Sequence, residues 1–159
     1  MERAVKEPII GQAAICEVAD VSSVPGPPDT YLGVARVLLP DVSILAKAVP
    51  PSGIGLPMLC SHALECTLKA YLSRAGNDAR VRTPEVRHNI AKLWIMASVD
   101  GLRIPNQPPR WVALLSVLHG SPYPLRYVTG VNGIVSPAPE PMIAGLAELL
   151  ELVQSQVHS

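Results

Sequence analysis

From Leu56 onward an apolar residue returns at every fourth position: Leu56, Cys60, Leu64, Leu68 and Leu72. An α-helix turns once in 3.6 residues, so this row makes one continuous stripe, which Leu59, Ala63, Ala70 and Tyr71 widen. What stays polar is a narrow strip of His62, Glu65, Lys69 and Ser73. Pro57 suits a first turn, where its missing N–H is not needed. Gly76 suits the left-handed residue that follows a helix, so the spacing predicts a helix over 56–75. A helix with so broad an apolar surface belongs at the centre of a bundle.

The flanking segments supply partners for it. Asp29 or Thr30 can cap a run from Tyr31 to Ala48, and Pro40 inside that run predicts a kink or two short helices. Pro50-Pro51-Ser52-Gly53 reads as a loop. Val86, Ile90, Leu93, Trp94 and Ala97 follow helical spacing, with a start either at Thr83-Pro84-Glu85 or at Asn89, and an end at Asp100-Gly101. Arg110 to His119, closed by Gly120, is apolar nearly all round and predicts a buried helix. A last helix spans Glu140 to Val157, with Met142, Ile143, Leu146, Leu149, Leu150, Val153 and Val157 on one face. Alternating strand patterns are nearly absent. The expected fold is an all-α bundle of four or five helices over residues 29–159. Residues 1–28 form an irregular N-terminal arm, in which 9–21 reads as a short strand or helix and Pro25-Gly26-Pro27-Pro28 is non-helical.

Charge narrows the function. Thirteen basic residues balance thirteen acidic ones, which argues against a dedicated duplex-binding protein with its basic excess. A local patch stays open, because Arg80, Arg82 and Arg87 fall close together. Cys16, Cys60 and Cys66 cannot all pair within one chain and form no C-x-x-C, so neither a disulfide framework nor a zinc knuckle is indicated. They read as buried hydrophobes of a protein in a reducing cytosol. The start, Met1 to Glu7, is charged and lacks the apolar core of a signal peptide, and the run Trp111 to Leu118 is too short for a bilayer. A soluble cytoplasmic protein is expected, with no cofactor.

Few side chains stand out as chemistry. Glu65 and Lys69, one turn apart, make either a helix-surface ion pair or a polar cleft in which Glu65 orients Lys69 toward a phosphate. His88 is either a general acid or base or a residue that bonds the exposed start of a helix. Arg126 can grip a phosphate in two places and Tyr127 can stack on an unpaired base; otherwise they bond helix carbonyls and pack the last helix. His62 shares a face with Glu65, but no third metal ligand lies at useful spacing, so no metal site is expected. His119 beside Gly120 reads as a cation at a helix C-terminus.

The piece Glu65-Cys66-Thr67-Leu68-Lys69-Ala70-Tyr71-Leu72, followed by His88-Asn89-Ile90, Leu93-Trp94 and a late Arg126-Tyr127, resembles the HEPN family. The resemblance covers about residues 56–127. It implies a small helical bundle, commonly a homodimer, of the kind found in prokaryotic toxin and defence systems. Several such domains work beside a nucleotidyltransferase partner, and active members cut RNA. Their catalytic signature is an Arg followed after four to six residues by a His on a late helix. Here Arg82 and His88 have five residues between them but precede an early helix, and the later Arg110 and His119 have eight. The implied function is therefore dimeric RNA or nucleotide binding through Glu65, Lys69, His88, Arg126 and Tyr127, without the usual nuclease motif in its place. Two other functions stay open. One is an atypical metal-independent ribonuclease with His88 as the catalytic candidate; the other is a purely protein-binding, dimerising module.

Overall fold

The computed structural model describes residues 25–48, 53–127 and 133–158. The expectations for 1–24 and for the Pro50–Ser52 loop lie outside them. Among the described residues there are five α-helices and no strand: α1 (Asp29–Ala46), α2 (Gly55–Leu72), α3 (Ile90–Val99), α4 (Arg110–His119) and α5 (Pro139–Val157). One turn of 3-10 helix, Ala79–Val81, lies between α2 and α3.

α2 is the axis of the bundle, and all four other helices pack on it. Fourteen of its eighteen residues are buried, including Ser61, Glu65, Thr67 and Lys69. Burial on every side explains why its polar strip is so narrow. Leu32 and Val42 of α1, Ile90 and Leu93 of α3, Val112 and Leu115 of α4, and Met142 and Leu146 of α5 close around it. Each fully buried aliphatic side chain contributes about 1.5–3 kcal/mol through apolar burial. Gly145 lets α5 approach α4 closely, since a Cβ there would stand 2.8 Å from the Trp111 ring.

Three expectations are corrected. Pro40 does not split α1, which runs unbroken through it. The proline removes the bond to the Arg36 carbonyl, and both residues are exposed, on the solvent side of the helix. α2 ends at Leu72, three residues early, because other groups cap it. Ser73 Oγ donates to the Lys69 carbonyl (2.7 Å), Arg74 to that of Tyr71 (3.1 Å) and Arg80 to that of Leu72 (2.8 Å). Gly76 does take the left-handed conformation, at φ 83°, beyond this turn. Finally, α4 buries one face only; Val117 on the other is 71% exposed.

Asp100 draws the same corner together. It accepts from Arg74 at 2.7 Å and Arg80 at 2.6 Å, and Arg82 lies 3.9 Å from Asp78. Two of the three arginines that suggested a basic patch are therefore engaged by carboxylates. Tyr71 donates to the Asp100 carbonyl (2.9 Å), which fixes the end of α3 against α2. No helix among the described residues is long and apolar enough to cross a membrane.

Pro40→Ala should restore a backbone bond at an exposed site and stabilise the protein by up to about 3 kcal/mol. Urea unfolding measures this directly; a loss of stability would mean that α1 depends on its proline.

Candidate functional site

Glu65 is 3% exposed, in the middle of α2, so its carboxylate must find its partners inside the protein. It finds three. Lys69, one turn on, donates to Oε1 at 2.6 Å. His88 Nδ1 lies 3.2 Å and His119 Nε2 2.5 Å from Oε2. An ionised carboxylate only accepts, so both facing imidazole nitrogens carry the proton. This fixes one tautomer for each neutral ring and leaves Nε2 of His88 and Nδ1 of His119 as the free nitrogens.

Local structure holds each histidine. His88 precedes Asn89, the N-cap of α3, whose Oδ1 accepts from the Lys92 amide at 3.0 Å. The later of the two possible helix starts is thus the one formed. Residues 83–88 are instead a turn, anchored in the core by Val81 and Val86 and closed by bonds from the Val86 and Arg87 amides to the Thr83 carbonyl. Ser116 of α4 accepts from the Ala91 amide at 3.1 Å, tying the start of α3 to the helix that carries His119. His119 belongs to the buried face of α4, with Val112 and Leu115. Its reading as a terminal cation is corrected: its side chain is 3% exposed and pairs with Glu65.

Burial alone would raise the Glu65 pKa, but hydrogen bonds from His119 and Lys69 outweigh it and bring the group down to about 2. Glu65 is therefore an anion throughout the neutral range. Lys69 sits between that anion and the Tyr31 ring, whose centroid is 5.8 Å from Nζ. Tyr31 in turn donates to Asp78 at 2.9 Å, and burial with this bond pushes its own pKa to about 12. The Glu65–Lys69 contact is thus not a surface ion pair but a buried one.

Outward from His88 runs a ladder of rings. His88 meets Tyr123 edge-on at 6.3 Å, and Tyr123 meets Tyr127 at 6.4 Å, while the Arg126 guanidinium lies 5.8 Å from the Tyr123 ring. Tyr123 has φ 61°, a strained conformation for an aromatic residue. Bonds from its own amide to Gly120 and from the Arg126 and Tyr127 amides back to its carbonyl hold it there. Arg126 and Tyr127 are exposed.

Two hollows flank the cluster. One, of about 340 Å³, is lined by Glu85, His88, Ser116, Ser121 and Tyr123. The other, of about 200 Å³, is lined by Met58, His62, Leu118, His119 and Arg126. The five residues singled out from sequence, Glu65, Lys69, His88, Arg126 and Tyr127, thus form one connected constellation. Two members were missed. His119 had a legible signal, since its spacing from Val112 and Leu115 puts it on the buried face. Tyr123 had none, because its place depends on the loop conformation. Comparison with protein-family models finds none that matches this chain, and comparisons with curated proteins and solved structures likewise find no match.

Glu65 is lowered in the fold, so its ionisation stabilises the folded state fully above its ordinary value of 4.5 and less as pH falls toward 2. Glu65→Gln should destabilise the protein at pH 7 by about 3–5 kcal/mol, because Lys69 is left buried without its anion. Its stability should also depend less on pH between 4.5 and 2 than that of the wild type. Urea titrations across that range test both.

Proposed function

We propose that this chain is an HEPN-like RNA-binding domain in which His88, oriented by Glu65, is the general base of a metal-independent ribonuclease. The observation that carries the reading is the carboxylate shared by two imidazoles beside a solvent-reached hollow. Glu65 fixes the His88 ring with Nε2 free, and that side chain is 32% exposed. In the reaction, His88 Nε2 removes the proton of a ribose 2′-hydroxyl, and the resulting oxygen attacks the adjacent phosphorus. The 5′-oxygen leaves, taking a proton from water or from a cationic imidazole, and a cyclic phosphate remains. Arg126 bears on the phosphate charge, and Tyr127 offers a face for an unpaired base. A neutral protein with a compact cationic and aromatic edge suits single-stranded RNA better than a duplex.

This differs from the binding module implied by the sequence resemblance in giving the cluster a catalytic step. His119 motivates the difference: a second imidazole on the same carboxylate supports an acid–base site more than a lone His88 does. Arg82 and His88 have the family's spacing but lie in the turn before α3 rather than on a late helix, so the site is an atypical one.

The homodimer expected from the resemblance has a candidate face. Val34, Val37 and Ile44 are exposed at 37%, 67% and 69% and recur along one side of α1. An isologous pairing of two α1 helices would cover them. Val37→Glu should then convert a dimer to a monomer in light scattering, and a wild-type monomer at micromolar concentration would contradict the pairing.

With mixed single-stranded RNA and a chelator present, the wild type should cut. His88→Ala should lower the rate by about 10²–10⁴-fold, the usual contribution of a general base. Arg126→Ala should weaken RNA binding while leaving the fold unchanged by circular dichroism. Binding without cutting by the wild type would leave an RNA-binding module, and neither would refute the assignment.

A further inference from the structure

We infer that Glu65, His88 and His119 also form a binding site for a divalent transition metal of the zinc type, and that the ion switches the site off. The three side chains come from separate elements, α2, the turn before α3 and the end of α4, yet converge on one point. One donor atom from each lies within 4.8 Å of the others. Two imidazoles and a carboxylate are a donor set that zinc accepts, with a fourth position left for water. Bonds of about 2.0–2.2 Å require neighbouring donors near 3.3 Å apart. The present separations from Glu65 Oε2 are 3.2 Å to His88 and 2.5 Å to His119, and the two imidazole donors lie within 4.8 Å of each other, so metal binding requires His119 to draw back from the carboxylate.

The surroundings suit an ion. Lys69 occupies only Oε1 and leaves Oε2 to the metal, as an outer partner orienting a ligand. His88, half-buried beside the larger hollow, gives the way in. Cys60 and Cys66 are buried and outside the cluster, so no thiolate belongs to the donor set.

Metal binding uses the nitrogens that otherwise carry protons toward Glu65. Each neutral ring keeps its one proton, which moves to the opposite nitrogen. For His88 that is Nε2, the nitrogen assigned as general base. Metal and base are therefore mutually exclusive, and the ion inhibits. The binding site stands on geometry alone, whereas the inhibition rests on the proposed ribonuclease.

The test titrates the full chain, stripped with chelator, with zinc by calorimetry and with cobalt by visible absorption. One ion per chain is expected, with the intense d–d bands of four-coordinate cobalt and no thiolate charge-transfer band. Loss of an outer partner already costs a site about 10–100-fold in affinity, so loss of the ligand itself in His88→Ala should cost at least that. His62→Ala removes a histidine that lines the smaller hollow but lies outside the triad, and should bind as the wild type does. His88 is a partly exposed turn residue, so the variant should fold, which circular dichroism checks. No saturable binding, or equal binding by His88→Ala, overturns the inference. Zinc binding in a protein that never cuts RNA would uphold the site and refute the ribonuclease; cutting unaffected by zinc would refute the switch.

Discussion

A carboxylate placed inside an apolar bundle has to be neutralised on the spot, and this fold does so from three directions around Glu65. The lysine comes from the same helix, one turn away, and needs no tertiary structure. The two imidazoles arrive from positions 23 and 54 residues distant, and need all of it. Breaking any of these contacts leaves a buried charge less compensated, a larger effect than losing an ordinary surface ion pair. The contacts from α2 to the turn before α3, from α3 to Ser116, and from α4 back to α2 therefore support one another. The geometry of the cluster is fixed by packing that serves stability anyway: Val81 and Val86 pin the turn carrying His88, while Val112 and Leu115 pin the helix carrying His119.

Much of the architecture was legible because it depends on local periodicity. The four-residue recurrence from Leu56 to Leu72 marked the central helix, and Arg110–His119, closed by Gly120, forms at the limits read from the sequence. The errors arose where tertiary contacts overrode local rules. Pro40 is tolerated on the solvent side of α1. The end of α2 is set by Arg74 and Arg80, drawn in by Asp100, rather than by Gly76. Asn89 prevails over Thr83 as the helix start: its side chain caps α3 by accepting from the Lys92 amide, while Val86 is buried in the turn before it.

The site was only half legible, for a related reason. A Glu and a Lys at helical spacing look alike whether they face water or the core, and the difference lies in which distant side chains meet them. His119 shows the converse: its phase with buried Val112 and Leu115 marked it as interior, yet its position beside Gly120 suggested a terminal cation. Tyr123 links the buried cluster to exposed Arg126 and Tyr127 only because its backbone is held in the left-handed region, which no side-chain pattern announces.

The acid–base role assigned to the site depends on Glu65 accepting hydrogen bonds from both rings, and nitrogen NMR of the histidine side chains tests this most directly. At alkaline pH, with metal removed, the account predicts a single neutral tautomer for each: His88 protonated at Nδ1 and His119 at Nε2. Resonances averaged between tautomers, or the opposite assignment for either ring, would contradict it.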